Sequence, residues 1–130
     1  MRARTWTRRP TSSRTVRIRP PRTGRTTSDS RRDLWGLDRF EPDYVAVGAD
    51  AAAWLVEHGF LLAGIDYQGI ERFDTTDHAT HKTLLQGGCM ILEGADLRGV
   101  APGEYQLICL PLRLVDGEGS PVRAVLCGCT

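Results

Sequence analysis

The first 32 residues of this 130-residue chain contain no lysine, a single acid (Asp29) and almost no apolar side chains. That shortage excludes a packed unit there, because so little apolar surface cannot offset the entropy lost on ordering the backbone. Eleven arginines fill the segment instead, among Thr, Ser and Pro. The chain also lacks an apolar run of the roughly 20 residues needed to span a bilayer, and no secretory apolar stretch follows the basic start. Its four cysteines, Cys89, Cys109, Cys127 and Cys129, show no paired zinc spacing, and Cys127-Gly-Cys129 is a weak metal signal. They read as reduced thiols of a cytoplasmic protein. Histidine is scarce too: His58, His78 and His81 are the only three.

The formal charge of +1 hides an uneven distribution. Residues 33–130 hold six Lys or Arg against fifteen Asp or Glu, so a tail near +10 precedes a body near −9. Residues 1–32 are therefore expected to be a disordered Arg-rich tail. Residues 33–130 are expected to fold as an α/β unit with a small core. Tyr44–Val47 suggests a short strand. Asp50 is placed to cap a helix over 51–58, which Gly59 stops. Phe60–Ile65 is a continuous apolar run suited to a buried strand, and Asp77 is placed to cap a second helix over 78–86. Cys89–Leu92 reads as another short buried strand. Tyr105–Leu114 and Val122–Leu126 flank the turn signal Asp116-Gly-Glu-Gly119 and read as a hairpin. Strands alternating with helices give an α/β layer arrangement.

Within that frame the stretch His81–Glu93, HKTLLQGGCMILE, is the candidate for chemistry. It runs from a helix through Gly87-Gly88 to the close of an apolar strand. Folding back would bring an imidazole and a carboxylate together, and both are competent metal ligands. A plain polar contact between the two is the alternative. His78 and His81 share a helix face. Asp66 follows a buried strand, a place that favours ligand sites, although it could equally cap a turn. Trp54 and Leu55 read as core, and His58 reads as support for the last turn of its helix. Glu71, Asp74 and Asp77 read as solvated loop charges.

Taken together, the strings DLWGLDRF, YVAVGADAAAWLVEHGFLLAGIDYQGIE, HKTLLQGGCMILEGADL and PGEYQLICLPLRLVDGEGSPVRAVL resemble the C-terminal half of the cyclase family of metal-dependent hydrolases, which includes bacterial kynurenine formamidase. The resemblance covers residues 29–128. It implies the C-terminal half of a cyclase-like swivelling β/β/α domain, with His81 and Glu93 as ligands to Zn²⁺ or Mn²⁺. It also implies hydrolysis of a small amide or lactone, of which N-formylkynurenine in tryptophan catabolism is one. Gln68-Gly69 departs from the pair that relatives often carry after the GID string. The family's other ligands come from an N-terminal HxGTHxDxPxH motif, and nothing in this chain reads so.

The Arg-rich tail bears on that gap. Back-translated with GC-rich codons and read one base earlier, with a C before the Met1 codon, Met1–Val16 (MRARTWTRRPTSSRTV) can spell His-Ala-Gly-Thr-His-Val-Asp-Ala-Pro-Thr-His-Phe, the complete motif. The single codon of Trp6 fixes the first base of the Asp codon. Residues 1 to about 28 thus read as out-of-frame translation of a cyclase gene, and the product as truncated. With two candidate ligands where catalytic zinc usually has three protein ligands, little or no hydrolysis is expected of this chain. Two other functions compete. Eleven arginines could neutralise nucleic-acid phosphates without sequence preference, but no aromatic interleaving accompanies them. A half-domain with exposed strand edges could instead be a non-catalytic assembly module or homo-oligomer.

Overall fold

The computed structural model describes residues 14–18 and 39–128. They form β1 (Arg14–Ile18), α1 (Ala49–Glu57), β2 (Leu62–Gly64), α2 (Ala79–Gln86), β3 (Met90–Leu92), β4 (Gly103–Pro111) and β5 (Val122–Gly128). The mixed helix and strand content is the α/β class expected. The chain divides into two compact units, one holding β1, β4 and β5 and the other holding α1, β2, α2 and β3.

In the first unit the strand order is β1-β4-β5, antiparallel throughout. The expected hairpin is present, with Tyr105 opposite Gly128 and Pro111 opposite Val122. β4 stops at Pro111 rather than reaching Leu114. One expectation is corrected at Arg14–Ile18, which was read as part of a disordered tail. These residues pair with β4 in the register Arg14–Leu107 to Ile18–Gly103. Low apolar content argues against a packed core, but an open strand edge offers unpaired N–H and C=O groups to any extended segment. The rest of the 1–32 tail reading, the start at Asp33-Leu34-Trp35 and the Cys127-Gly-Cys129 pair's last residue lie outside the described residues.

The second unit is a β-α-β arrangement. β2 and β3 are parallel neighbours, with Leu62 opposite Met90 and Gly64 opposite Leu92. Parallel strands require a crossover, and α2 supplies it. α2 buries Thr80 and Leu84, four residues apart on one face. α1 is rich in alanine, the best helix former, and buries Ala52. The core joins Ala52, Ala63, Ile70, Leu84 and Cys89, with Val47, Leu55, Val56, Ile65 and Ile91 packed against it. Asp50 lies in the first turn of α1 and makes no capping hydrogen bond; Gly48 occupies the cap position. Asp77 does accept the Ala79 N–H at 3.3 Å, close to the role expected. Tyr44–Val47 is not a strand. Its end is tied down instead by Val47 N–H to the Ile70 carbonyl (2.8 Å) and by the Thr80 hydroxyl to the Val47 carbonyl (3.0 Å).

Two adjacent glycines stop α2 for different reasons. A Cβ on Gly87 would stand 2.4 Å from Val56 Cγ1, so the end of α2 packs too tightly against α1 there to admit a side chain. Gly88 has φ +77°, a backbone region that side-chain-bearing residues rarely adopt. Cys89 follows at 1% exposure, and burial pushes its thiol up from the ordinary value. Since the thiolate is the nucleophile, Cys89 should resist iodoacetamide at neutral pH in the folded chain and react once urea unfolds it. Mass spectrometry of the alkylated peptides checks this.

Candidate metal centre

Glu93 follows the last residue of β3, and His81 sits on the first turn of α2. The crossover returns the chain so that His81 Nε2 lies 3.4 Å from Glu93 Oε1. Both groups are about one-third exposed. The Glu93 carboxylate is held by the main chain, because Oε1 accepts the Ile70 N–H at 2.7 Å. The loop that carries Ile70 is itself fixed, with Gly94 N–H donating to the Tyr67 carbonyl (2.7 Å) and Ala95 N–H to the Ile65 carbonyl (3.2 Å).

The other imidazole nitrogen meets a residue that the sequence reading misplaced. Glu71 is not a solvated loop charge: its side chain is 4% exposed. Oε1 accepts the Thr80 N–H at 2.7 Å and Oε2 is 2.6 Å from His81 Nδ1. Tyr44 adds a hydrogen bond from its hydroxyl to the Glu71 carbonyl. Burial pushes the Glu71 carboxyl up. The hydrogen bonds from His81 and from Thr80 N–H, with the charge of His81, outweigh that and hold it below the ordinary carboxylate value. Glu71 is thus a carboxylate at neutral pH, placed among donors. Its only sequence cue was Ile70 beside it, a core residue at the mouth of a polar stretch.

The remaining candidates are less central. His78 is 63% exposed with Nδ1 3.6 Å from Glu71 Oε2, too long for a hydrogen bond. Asp66 is exposed. His58 supports its helix end as expected, with Nδ1 2.8 Å from the Trp54 carbonyl. Trp54 is not core: it is half exposed and stacks on His58 at 4.0 Å between ring centroids. A nine-residue helix has one buried face, and Ala52, Leu55 and Val56 occupy it. Asp74 pairs with Arg72 at 2.8 Å on the surface, as a loop charge would.

Two features adjoin the centre. Phe40, Tyr44, Tyr67 and Phe73 form an aromatic cluster, with Phe40 and Phe73 4.8 Å apart and Tyr44 and Tyr67 4.6 Å apart. Burial and then the Glu93 charge push the Tyr44 phenol up. A cavity of about 300 Å³ opens beside Glu71, lined by Val47, Gly48, Arg72, Asp77 and Thr80. Neither His81 nor Glu93 lines it, so it meets the centre through Glu71 and Thr80.

Comparison with known proteins gives this geometry a context. No protein-family model matches the chain. It is 44% identical over 86 residues to a kynurenine formamidase of Bacillus mycoides, an alignment covering 65% of this chain and 41% of that protein. It is 41% identical over 104 residues to cyclase-like protein 3 of Oryza sativa subsp. japonica, covering 78% of this chain and 38% of that one. A solved structure described as a potential metal-dependent hydrolase with cyclase activity superposes with a TM-score of 0.65 at 39% identity, covering 69% of this chain and 44% of that one. The chain is similar to part of a cyclase-type, metal-dependent hydrolase. It spans about two fifths of the length of the curated relatives it matches. The cyclase-like fold expected from the sequence is that of its structural neighbours, and among the described residues no helix is long and apolar enough to cross a membrane.

The donor set can be tested against a cation. Zinc bonded at about 2.0–2.2 Å to a nitrogen and an oxygen in tetrahedral array keeps those donors about 3.4 Å apart. The His81 Nε2–Glu93 Oε1 separation of 3.4 Å fits. Glu71, His78 and His81 also present ligand atoms within 4.8 Å of one another. Within that group, Glu71 Oε2 and His81 Nδ1 are only 2.6 Å apart. That is hydrogen-bond length, too close for two tetrahedral ligands, and it leaves Nε2 as the free donor.

Proposed function

We propose that this chain carries one side of the cation site of an arylformamidase-like amide hydrolase, with His81 and Glu93 as its ligands. The observation that carries this reading is their 3.4 Å approach at the end of β3. It occurs in a chain 44% identical over 86 residues to a protein named kynurenine formamidase. Zn²⁺ or Mn²⁺ suits a nitrogen and a carboxylate oxygen. When bound, such a cation supplies an acidified water and polarisation of a scissile carbonyl. The chain's own part is to hold the site. Ile70 N–H fixes the carboxylate, and α2 carries the imidazole to it. The substrate class is a small amide or lactone, N-formylkynurenine among them, rather than nucleic acid. The cytoplasm is the proposed compartment.

Two protein ligands hold catalytic zinc less well than the usual three. Hydrolysis of N-formylkynurenine by the isolated chain should therefore be slow or absent, while binding of the cation should be measurable. Calorimetric titration of the full chain with Zn²⁺ and with Mn²⁺ tests the assignment. Each of His81→Ala and Glu93→Gln should weaken binding by at least about tenfold, the order expected when a ligand or its support is lost. Equal affinity in both variants and the parent would remove the assignment.

Self-association is a second reading. Ile108, Leu110, Leu112, Leu114, Val115 and Val125, on the strands and the connection of the β4–β5 hairpin, are all exposed. Apolar surface gathered in one contiguous patch would favour association. Size-exclusion chromatography across a concentration series separates a defined oligomer from a monomer.

A further inference from the structure

The Glu71 carboxylate faces the His81 ring nitrogen that points away from Glu93. A neutral imidazole carries its proton on one nitrogen and a lone pair on the other, and the hydrogen bond at one decides the state of the other. Glu71 is charged and acceptor-only, so it can be satisfied by His81 only if Nδ1 bears the proton. Nε2 is then the lone-pair donor, and Nε2 is the atom 3.4 Å from Glu93 Oε1. From this we infer that Glu71 is a positioning residue, which fixes the tautomer of His81 and presents Nε2 as the binding atom.

The inference rests on the proposed cation site for its purpose, but its geometry is separate from that site. Glu71 is locked from three sides. Oε1 is held by the Thr80 N–H, Oε2 by His81, and its carbonyl by the Tyr44 hydroxyl. Thr80 and His81 are consecutive on the first turn of α2, so the two carboxylate oxygens grip the backbone and the ring of one helical turn. A partner that orients a metal-binding histidine in this way commonly governs affinity by about 10–100-fold.

The Thr80 contact makes the substitution Glu71→Gln unusually informative. The amide oxygen must remain on the Thr80 N–H, because only an acceptor satisfies that donor. The amide nitrogen is then directed at His81 Nδ1, as a donor where the native chain has an acceptor. The ring must respond by moving its proton to Nε2, the nitrogen that should bind. A nearly isosteric change thus inverts the tautomer.

The test uses the full chain, ¹⁵N-labelled on histidine, at a pH where the imidazole is neutral. Two-bond proton–nitrogen correlations distinguish the two tautomers directly, without metal. The parent should show the Nδ1–H form at His81. Glu71→Gln should show the Nε2–H form, with Zn²⁺ affinity lowered about 10–100-fold. An Nε2–H ring in the parent overturns the inference, and this measurement stands even if the variant fails to fold. A folded variant with the parent's tautomer and affinity also overturns it. If instead the parent shows Nδ1–H and the variant inverts it, but neither binds Zn²⁺ in a way that His81→Ala abolishes, the cation assignment fails and the positioning role of Glu71 stands.

Discussion

Leu84→Ala is expected to destabilise the second unit by about 2–5 kcal/mol, the range for a buried leucine whose removal leaves a cavity. Leu84 is fully buried. It lies on the inner face of α2, within the same cluster as Ala52, Ala63, Ile70 and Cys89. Two of those four partners are alanines and one is a cysteine, so few large fully buried side chains are available to close the gap. Urea denaturation followed by far-UV circular dichroism measures the loss. A midpoint within error of the parent would mean that Leu84 is not the centre of this core.

Gly87→Ala should cost about 1–3 kcal/mol, the usual size of an overpacking penalty. The added methyl would meet Val56 Cγ1 at 2.4 Å and Cγ2 at 2.5 Å. Val56 is β-branched and stiff at χ1, so it yields by moving α1 away from α2 rather than by turning aside. The signature is compensation. Val56→Ala costs stability alone, but combined with Gly87→Ala it should recover part of the loss, giving a favourable coupling energy in a double-mutant cycle. Simple additivity would show that the two residues do not meet.

How much of this was legible beforehand depends on how local the cause is. The approach of His81 to Glu93 could be read from a helix, a glycine pair and an apolar strand in succession, because that order forces the chain to turn back. The β4–β5 hairpin was legible for the same reason. Glu71 was not, because its partners are reached through an irregular loop from Arg72 to His78, whose path no periodicity encodes. His78 itself has φ 50°, a turn geometry that its identity does not announce. Trp54 was misread from its side chain alone, since an aromatic residue suggests burial while the helix face decides it. β1 was missed because charge and composition describe what a segment can bury, whereas a strand edge recruits backbone.

The anchoring of Glu93 by a peptide N–H, rather than by another side chain, leaves the adjoining loop room to diversify. Asp66 and Gln68 are exposed in the segment that leads to Ile70, and the bond that holds the carboxylate comes from the Ile70 N–H. Gly69 is under a different constraint, because a Cβ there would collide with the Tyr44 hydroxyl at 2.6 Å. A library built on this loop should therefore randomise 66 and 68 and spare 69, altering the exposed surface while leaving the carboxylate's foundation intact.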